Sequence, residues 1–329
     1  MKIDFYNSLG EKARCFEHKT INTKDELDRL IDKWKRASNL KRFVFRGITE
    51  AKYKLYNSAQ RSWQTFELEN LALDYQSFIQ SEIDKAKSFQ NGLLIKFYNA
   101  FGYSAYDLSI LSFLQHYGAP TPLLDWTYNF NYALFFGIDG LRHNPSDDIE
   151  NYFSFYAIDT TWDELLSVEK ILADDLGRID DILFDNPKMI VEQLLQEYQR
   201  LGYSYFHRRM LFYLPGPTKS GMGFSLKSRP HFKVIYNQHN LNIINQEGLF
   251  VFNSDPNHPL EDYFKGIHTP NFNNTFHLPK ILCWDIHKSL DEYVSDYLLR
   301  RRPPINREFI YPQEENIAKS AFLDYKKSK

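Results

Sequence analysis

The segment from Leu114 to Gly137, LQHYGAPTPLLDWTYNFNYALFFG, constrains the fold most. It is apolar enough to be core, yet it carries Gln, His, Asp, Trp, Thr and Asn side chains. A buried donor or acceptor without a partner costs about 1–3 kcal/mol. These groups therefore either satisfy one another or bind a ligand, and the sequence alone leaves both interpretations open.

The composition is that of a globular protein, with 43% hydrophobic and 25% charged residues in a chain of 329. The 27 Phe and 22 Tyr predict an aromatic core containing hydroxyl groups that need partners. The net charge of −2 gives no electrostatic case for an anionic membrane or for nucleic acid. We therefore expect no membrane partner, and net charge does not support a nucleic-acid partner.

The basic run RRRPP at residues 300–304 is a local exception to this balance of charges. It follows a helical pattern, and basic residues at the end of a helix complement the negative end of its dipole. This favours a helix end over a nucleic-acid patch.

Cysteine usage and the N-terminus indicate the compartment. Cys15 and Cys283 lie far apart, and the chain has no CxxC motif and no Cys/His cluster at metal-ligand spacing. We therefore expect neither a disulfide framework nor a metal cofactor. The first twenty residues lack the apolar run of a signal peptide, and no apolar stretch reaches membrane-spanning length. A cytoplasmic, reduced protein is expected.

Hydrophobic periodicity predicts helices mainly in the first half of the chain and strands mainly in the second. Thr23 and Glu26 form a capping-box pattern that opens an amphipathic helix. Further helices are predicted over residues 67–89 and 107–117 and in NFNYALFFGIDG, WDELLSVEKIL, PKMIVEQLLQEYQRL, SLDEYVSDYLLRR and ENIAKSAFLDYKK. Strands are predicted in KRFVFRG, LLDW, NYFSFYAID, HFKVIYN, GLFVFN and KILCWDI. The fold class is α+β, with a helix-rich N-terminal part and a small mixed sheet.

Arg46 ends an apolar predicted strand, and Gly47 follows it. The planar guanidinium binds carboxylate or phosphate through two parallel hydrogen bonds, so Arg46 is either a structural ion-pair residue or an anion clamp. Gly47 permits a close backbone approach or a positive φ, which suits a ligand-facing corner as well as any tight turn.

Gln115 and His116 end one predicted helix, and Asp125 ends a predicted strand. A histidine at a helix end has a plain structural explanation, because its charge complements the dipole. Capping explains one or two polar groups in this region but not all four residues, Arg46 included. We therefore expect the four in one neighbourhood, with Asp125 bonding Arg46 or His116 and holding that partner in place.

Two segments carry a resemblance to a known family. FRG at residues 45–47 and the run LQHYGAPTPLLDWT…ALFFG resemble the FRG domain, a bacterial module named for that tripeptide. NQEGLFVF at residues 245–252 is similar to the later Gln-x-Gly-x-Phe segment of the family. The chain departs from the family at Pro122 and Asn242, where the family has basic residues, and at Phe130, where it has Pro.

The resemblance divides the chain into three parts. It implies a helical lead-in over residues 1–40, an FRG core over residues 41–140, and a C-terminal α/β part over residues 141–329 that packs on the core and completes it.

The order of motifs is also similar to that of ADP-ribosyltransferase-like NAD enzymes. In such a site Arg46 would hold the pyrophosphate of the cofactor NAD, Thr127 would stabilise the nicotinamide ribose, and Glu247 or Gln246 would orient the acceptor or a ribose hydroxyl. The residues assigned to cofactor binding are Arg46, Gly47, Gln115, His116 and Asp125, and those assigned to catalysis are Thr127, Gln246 and Glu247.

Two functions remain open. One is an NAD-dependent ADP-ribosyltransferase or NAD glycohydrolase, in a bacterial phage-defence or toxin system, whose macromolecular acceptor the sequence does not identify. The other is a sensor that binds a nucleotide or RNA without chemistry, with aromatic rings beside Arg46 stacking on a base. A scaffold whose polar core satisfies itself is the structural alternative. An open site that gathers Arg46, His116, Asp125 and Gln246 would favour the first two.

Overall fold

The computed structural model describes residues 3–37, 43–71, 74–100, 107–143, 148–159, 211–214, 231–234, 242, 245–253, 255–263 and 281–313. The predicted helices in WDELLSVEKIL, PKMIVEQLLQEYQRL and ENIAKSAFLDYKK lie outside these residues. The helices are α1 (Leu9–Lys12), α2 (Lys24–Ala37), α3 (Ser58–Thr65), α4 (Tyr75–Ala100), α5 (Asp107–His116), α6 (Phe130–Ile138), α7 (Leu260–Tyr263), α8 (Asp291–Leu299) and α9 (Arg307–Ile310). The strands are β1 (Glu17–Ile21), β2 (Phe43–Ile48), β3 (Leu123–Thr127), β4 (Tyr152–Asp159), β5 (Leu211–Leu214), β6 (His231–Val234), β7 (Gly248–Phe252) and β8 (Leu282–His287).

Six strands form one mixed sheet in the order β1–β8–β4–β2–β3–β7. β1 pairs with β8 in parallel, and the other neighbouring pairs are antiparallel. β5 and β6 form a separate antiparallel pair. The predicted α+β class with a mixed sheet is confirmed. The sheet takes β1 from before residue 41, β2 and β3 from the FRG-like segment, and β4, β7 and β8 from after residue 141.

Each face of the sheet packs against helices. Neighbouring residues on β2 belong to different cores, because successive side chains on a strand point to opposite faces. Val44 packs in the first core, with residues of α3, α4 and α5. Phe45 packs in the second core, with residues of α2, α6 and α8. Trp34 of α2 meets the Phe45 ring edge-on, with the ring centroids 4.9 Å apart.

Local signals account for three helix boundaries. Glu26 donates its backbone N–H to Thr23 Oγ1 at 3.3 Å, and Thr23 donates its own to Glu26 Oε2 at 3.1 Å, which confirms the capping box. Asn129 caps α6 by accepting from the backbone N–H of Asn131 at 3.0 Å. Arg300 is the C-terminal cap of α8, so the predicted helix end at the basic run is confirmed.

The helix predicted over residues 67–89 is wrong at its N-terminal bound, whereas its predicted end at residue 89 coincides with a break in α4. A short 3-10 turn covers Leu68–Leu71, and α4 then runs from Tyr75 to Ala100 with a break at residues 89–92. Gln90, Asn91 and Gly92 have positive φ in this break. Asn and Gly tolerate the left-handed conformation better than other residues, so the chain can turn here while the apolar spacing continues.

Among the helices in these described ranges, none is long and apolar enough to cross a membrane.

Candidate functional site

Arg46 projects from β2 on the face of the first core, where it lies opposite Tyr156 of β4. Its Nη1 donates a hydrogen bond to the backbone carbonyl of Asp125. Its Nε is buried and has no hydrogen-bond partner in the structure as described. Burial lowers the pKa of Arg46, and the nearby Asp125 charge opposes this shift. The guanidinium is therefore anchored by a neutral acceptor and keeps a free donor.

Arg46 is the middle member of a row that crosses three strands. Phe45 pairs with Thr127, so the next antiparallel position places Arg46 opposite Trp126 of β3, and Tyr156 lies on the other side. Trp126 and Tyr156 are 3% and 0% exposed. The Trp126 Nε1 is also buried without a hydrogen-bond partner among the described residues. The Tyr156 hydroxyl is buried as well, and the Lys12 ammonium lies beside its ring, 5.0 Å from the ring centroid. We call Trp126, Arg46 and Tyr156 the donor row.

The donor row departs from the ordinary rule for buried polar groups. Most such groups in folded proteins are paired, and each unpaired one calls for an explanation. The indole N–H and the guanidinium N–H can only donate, and the hydroxyl can donate as well. A ligand that supplies acceptors would satisfy the Trp126 and Arg46 donors, and the oxygens of a phosphate group are such acceptors.

Gln115 and Asp125 provide hydrogen-bond partners for some of the polar groups in the segment from Leu114 to Gly137. Gln115 Nε2 donates to Asp125 Oδ2 at 2.7 Å, while Gln115 Oε1 accepts from the Thr121 hydroxyl. The exposed His116 packs edge-on against Tyr117, with ring centroids 4.7 Å apart. Partial burial lowers the pKa of His116, and the charge of Asp125 opposes that shift.

These contacts bring Arg46, Gln115 and Asp125 into one neighbourhood, as predicted. His116 follows Gln115 in the chain, and its side chain packs on Tyr117. The prediction that the Asp125 side chain bonds Arg46 or His116 is wrong about which atoms take part. Arg46 bonds the backbone carbonyl of Asp125, whereas the exposed carboxylate accepts from Gln115. The carboxylate has solvent around it, so it does not act as a buried counter-ion.

Gly47 has a packing explanation that requires no ligand. A Cβ at this position would lie 1.9 Å from the Ala133 carbonyl oxygen and 2.5 Å from the Gly137 backbone nitrogen. The backbones of β2 and α6 approach so closely that only glycine fits.

The residues assigned to catalysis form a second group, where β3 ends and β7 begins. Thr127 Oγ1 donates to the Gln246 carbonyl at 2.7 Å, and Asn129 Nδ2 donates to Glu247 Oε1 at 3.2 Å. Glu247 has a φ of 47°, in the left-handed region that non-glycine residues seldom adopt. Gln246 Nε2 donates to the Ile310 carbonyl at 3.1 Å, so its side chain is committed to α9.

The two groups do not share a face of the sheet. Thr127 pairs with Phe45, whose ring lies in the second core, whereas Arg46 lies on the first-core face. Successive residues on a strand point to opposite faces. A ligand that touched both Arg46 and Glu247 would therefore pass around the end of β3.

One His/Cys/Asp group in the described ranges has metal-ligand proximity: His18, Cys283 and Asp285, whose ligand atoms lie within 4.8 Å of one another. Its chemistry is that of a buried ion pair. Lys12 Nζ lies 2.6 Å from Asp285 Oδ1 and 2.6 Å from Ser154 Oγ, and His18 Nε2 lies 2.7 Å from Asp285 Oδ2. Burial raises the pKa of the Cys283 thiol, which disfavours the thiolate that a metal needs. The Lys12 ammonium already supplies the cation.

The family comparison covers the part of the chain that contains Arg46. Residues 41–146 match the family model of the FRG domain. The chain therefore contains an FRG domain, and the matched segment includes Arg46, Gln115, His116 and Asp125. No curated protein and no solved structure matches the chain.

Sequence reasoning did not identify Trp126 or Tyr156. Each has an apolar neighbourhood along the chain that predicts a core residue. Their relation to Arg46 depends on strand order and register, for which a single sequence carries no local signal.

Proposed function

We propose that the protein binds a phosphate-bearing nucleotide at the donor row, with NAD as the ligand. One observation carries this proposal: the Nε of Arg46 and the Nε1 of Trp126 are buried on one face of adjacent strands and lack acceptors in the part of the chain described. A phosphate oxygen accepts from both types of N–H, and its hydrogen bonds to arginine are strong because both partners are charged.

The electrostatics of Arg46 support an anion in particular. Arg46 is half-buried, and a charge that loses part of its hydration normally has a counter-ion, because desolvation is costly. None of the ion pairs between described residues involves Arg46, which is held by the carbonyl of Asp125 instead. A phosphate would complete the site by supplying the missing negative charge.

The surroundings suit the rest of a nucleotide. Tyr117 is 69% exposed and lies beside His116 at the end of α5. An exposed aromatic ring provides a face on which a base stacks, and each such contact contributes about 1–3 kcal/mol. Gln115 and the Asp125 carboxylate lie between α5 and β3 and offer polar contacts to a ribose.

A specific observation favours chemistry as a second function. Glu247 combines a left-handed backbone with a hydrogen bond from Asn129, and strained conformations of this kind cluster at functional sites. In NAD glycohydrolysis or ADP-ribosyl transfer, the bond between ribose C1′ and nicotinamide breaks with its electrons leaving on nicotinamide. Glu247 would stabilise the cationic sugar, and water or a macromolecular nucleophile would bond to C1′ and release a proton. Bacterial defence or a toxin system is the setting that the FRG resemblance suggests.

Binding is the first test. Calorimetric titration with NAD and with ADP-ribose should show binding to the wild type and loss of binding in Arg46→Ala, because water does not replace a phosphate clamp. Arg46→Lys should bind more weakly than the wild type, since an ammonium cannot reproduce the planar fork. Arg300→Ala is the matched control, because the Arg300 side chain is 82% exposed.

Circular dichroism of each variant shows whether its fold is intact. A folded wild-type protein that binds neither NAD nor ADP-ribose would contradict the proposal. Binding without release of nicotinamide, alone and with cell RNA, DNA or protein present, would select the nucleotide sensor over the enzyme.

A further inference from the structure

A second arginine, Arg61, lies on the helix that is hydrogen-bonded to the neighbourhood of Arg46. Arg61 belongs to α3, whose N-terminal residue Ser58 accepts from the backbone N–H of Thr121 at 2.9 Å. The Thr121 hydroxyl donates to Gln115, which in turn donates to Asp125. A continuous chain of hydrogen bonds therefore fixes the position of α3 relative to β3, whose Asp125 carbonyl accepts from Arg46.

The head group of Arg61 is fixed in the same way as that of Arg46. Its Nη1 donates to the backbone carbonyl of Tyr56 at 2.6 Å. Part of the side chain is exposed, while burial of the guanidinium lowers the pKa of Arg61 and the charge of Asp125 raises it. No ion pair among the described residues includes Arg61. It too is a positive charge held by a neutral acceptor.

The charge of Arg61 affects the pKa of Arg46. Burial is the main cause that lowers the pKa of Arg46, and the charge of Arg61 lowers it further against the opposing effect of Asp125. The Asp125 carboxylate thus acts on both arginines, Arg46 and Arg61. It is exposed and already accepts a hydrogen bond from Gln115. Repulsion between like charges in a partly buried site falls when an anion enters.

We propose that Arg61 is a second phosphate-binding residue and that the ligand of this site is a diphosphate ester, with one phosphoryl group on Arg46 and the neighbouring one on Arg61. This inference rests on the proposed nucleotide-binding function. A diphosphate ester such as ADP-ribose carries one negative charge on each of two adjacent phosphoryl groups, which matches two separate cations. A nucleoside monophosphate has a single phosphoryl group and lacks the neighbouring one that Arg61 would bind.

The test compares ADP-ribose with AMP by calorimetry, on the wild type, Arg61→Ala and the exposed control Arg300→Ala. The wild type and the control should prefer ADP-ribose to AMP. In Arg61→Ala, ADP-ribose affinity should fall by about tenfold or more, the scale of losing a hydrogen bond to a charged group, while AMP affinity stays within about twofold. Arg61→Lys should recover part of the preference, because it restores the charge without the planar fork.

The possible results separate the role of Arg61, the preference for a diphosphate and nucleotide binding itself. If the wild type binds ADP-ribose and Arg61→Ala binds it equally well, Arg61 is not a phosphate ligand, although the proposed function stands. If Arg61→Ala loses AMP and ADP-ribose to the same extent, the diphosphate preference is overturned. If a folded wild-type protein binds none of AMP, ADP-ribose and NAD, the proposed function itself fails and the role of Arg61 falls with it.

Discussion

Arg46 hydrogen-bonds the backbone carbonyl of Asp125, while the carboxylate of the same residue accepts from Gln115 Nε2 at 2.7 Å. The main chain, which no substitution at position 125 removes, therefore anchors Arg46. The side chain of Asp125 stays exposed beside the anchor. This arrangement differs from a buried ion pair, and it leaves the charge of Arg46 available to a ligand.

The role of the Asp125 side chain can be tested by stability. The sequence led to an expected loss of about 3–5 kcal/mol for Asp125→Ala, the cost of stranding a buried charge. Because the carboxylate is exposed and Arg46 bonds the carbonyl, we now expect a loss of no more than about 1.5 kcal/mol, the net contribution of one hydrogen bond. Urea unfolding of the wild type, Asp125→Ala and Asp125→Asn measures the difference. A loss above about 3 kcal/mol would restore the ion-pair interpretation.

Gly47 and Gly10 form a matched pair for the packing of β2 on α6. An added Cβ at Gly47 would lie 1.9 Å from the Ala133 carbonyl oxygen, whereas one at Gly10 would have Ser8 Oγ, at 3.9 Å, as its nearest contact. Gly47→Ala should destabilise the fold by about 1–3 kcal/mol or more through overpacking. Gly10→Ala should be neutral or stabilise α1 by up to about 1 kcal/mol. Equal melting temperatures for the two variants would refute the close approach.

The buried ion pair Lys12–Asp285 should contribute more to stability than an exposed ion pair does. Both side chains are fully buried, and Lys12 Nζ also donates to the Ala51 carbonyl at 2.9 Å. Removing one partner leaves an uncompensated buried charge, so Lys12→Met should cost about 3–5 kcal/mol. Lys52→Met is the control, because the Lys52–Glu150 pair is partly exposed and should contribute about 1 kcal/mol or less. Comparable losses in urea unfolding would contradict this difference.

The same pair predicts how stability changes with pH. Burial alone would raise the pKa of Asp285, but the Lys12 charge and the hydrogen bonds from His18, Lys12 and Ser154 lower it overall. A carboxyl whose pKa is lower in the folded state stabilises the fold above its unfolded pKa, about 3.9, and loses this contribution as the pH falls further.

Lys12 contributes at the opposite end of the pH range. Burial lowers its pKa, but the charge of Asp285 more than compensates, so its pKa is raised overall. Its contribution is present below the unfolded lysine pKa of about 10.4 and is lost as the pH rises through the folded value.

The contribution of Asp285 can be measured by urea unfolding between pH 3 and pH 7. The free energy of unfolding should fall as the pH is lowered, and this fall should be much smaller in Asp285→Asn. An identical acid loss in both proteins would assign it to other carboxylates.

Local patterns predicted the elements that surround the site, but not the site's composition. The apolar run that contains Arg46 and the polar cap of α6 at Asn129 are signals within a few residues, and both elements form. β1 escaped prediction because EHKTI is largely exposed and lacks an apolar alternation, and its pairing of Glu17 with Leu282 joins distant parts of the chain. The donor row likewise depends on register between strands, which a one-residue slip would undo.

The separation of Arg46 from Glu247 across the sheet makes binding and turnover separately testable. Glu247→Gln keeps an amide oxygen that can accept from Asn129 Nδ2, so the local geometry and NAD affinity should stay close to those of the wild type. The charge that would stabilise the cationic sugar is lost, and nicotinamide release should fall by about 10²-fold or more. Labelled NAD, with nicotinamide release followed over time and affinity measured by calorimetry, reports both quantities.

Glu292→Gln, a substitution at an exposed position on α8, is the control and should match the wild type in both NAD affinity and nicotinamide release. Release that persists unchanged in Glu247→Gln would remove Glu247 from the reaction, and a protein that binds NAD without any release would be a nucleotide sensor.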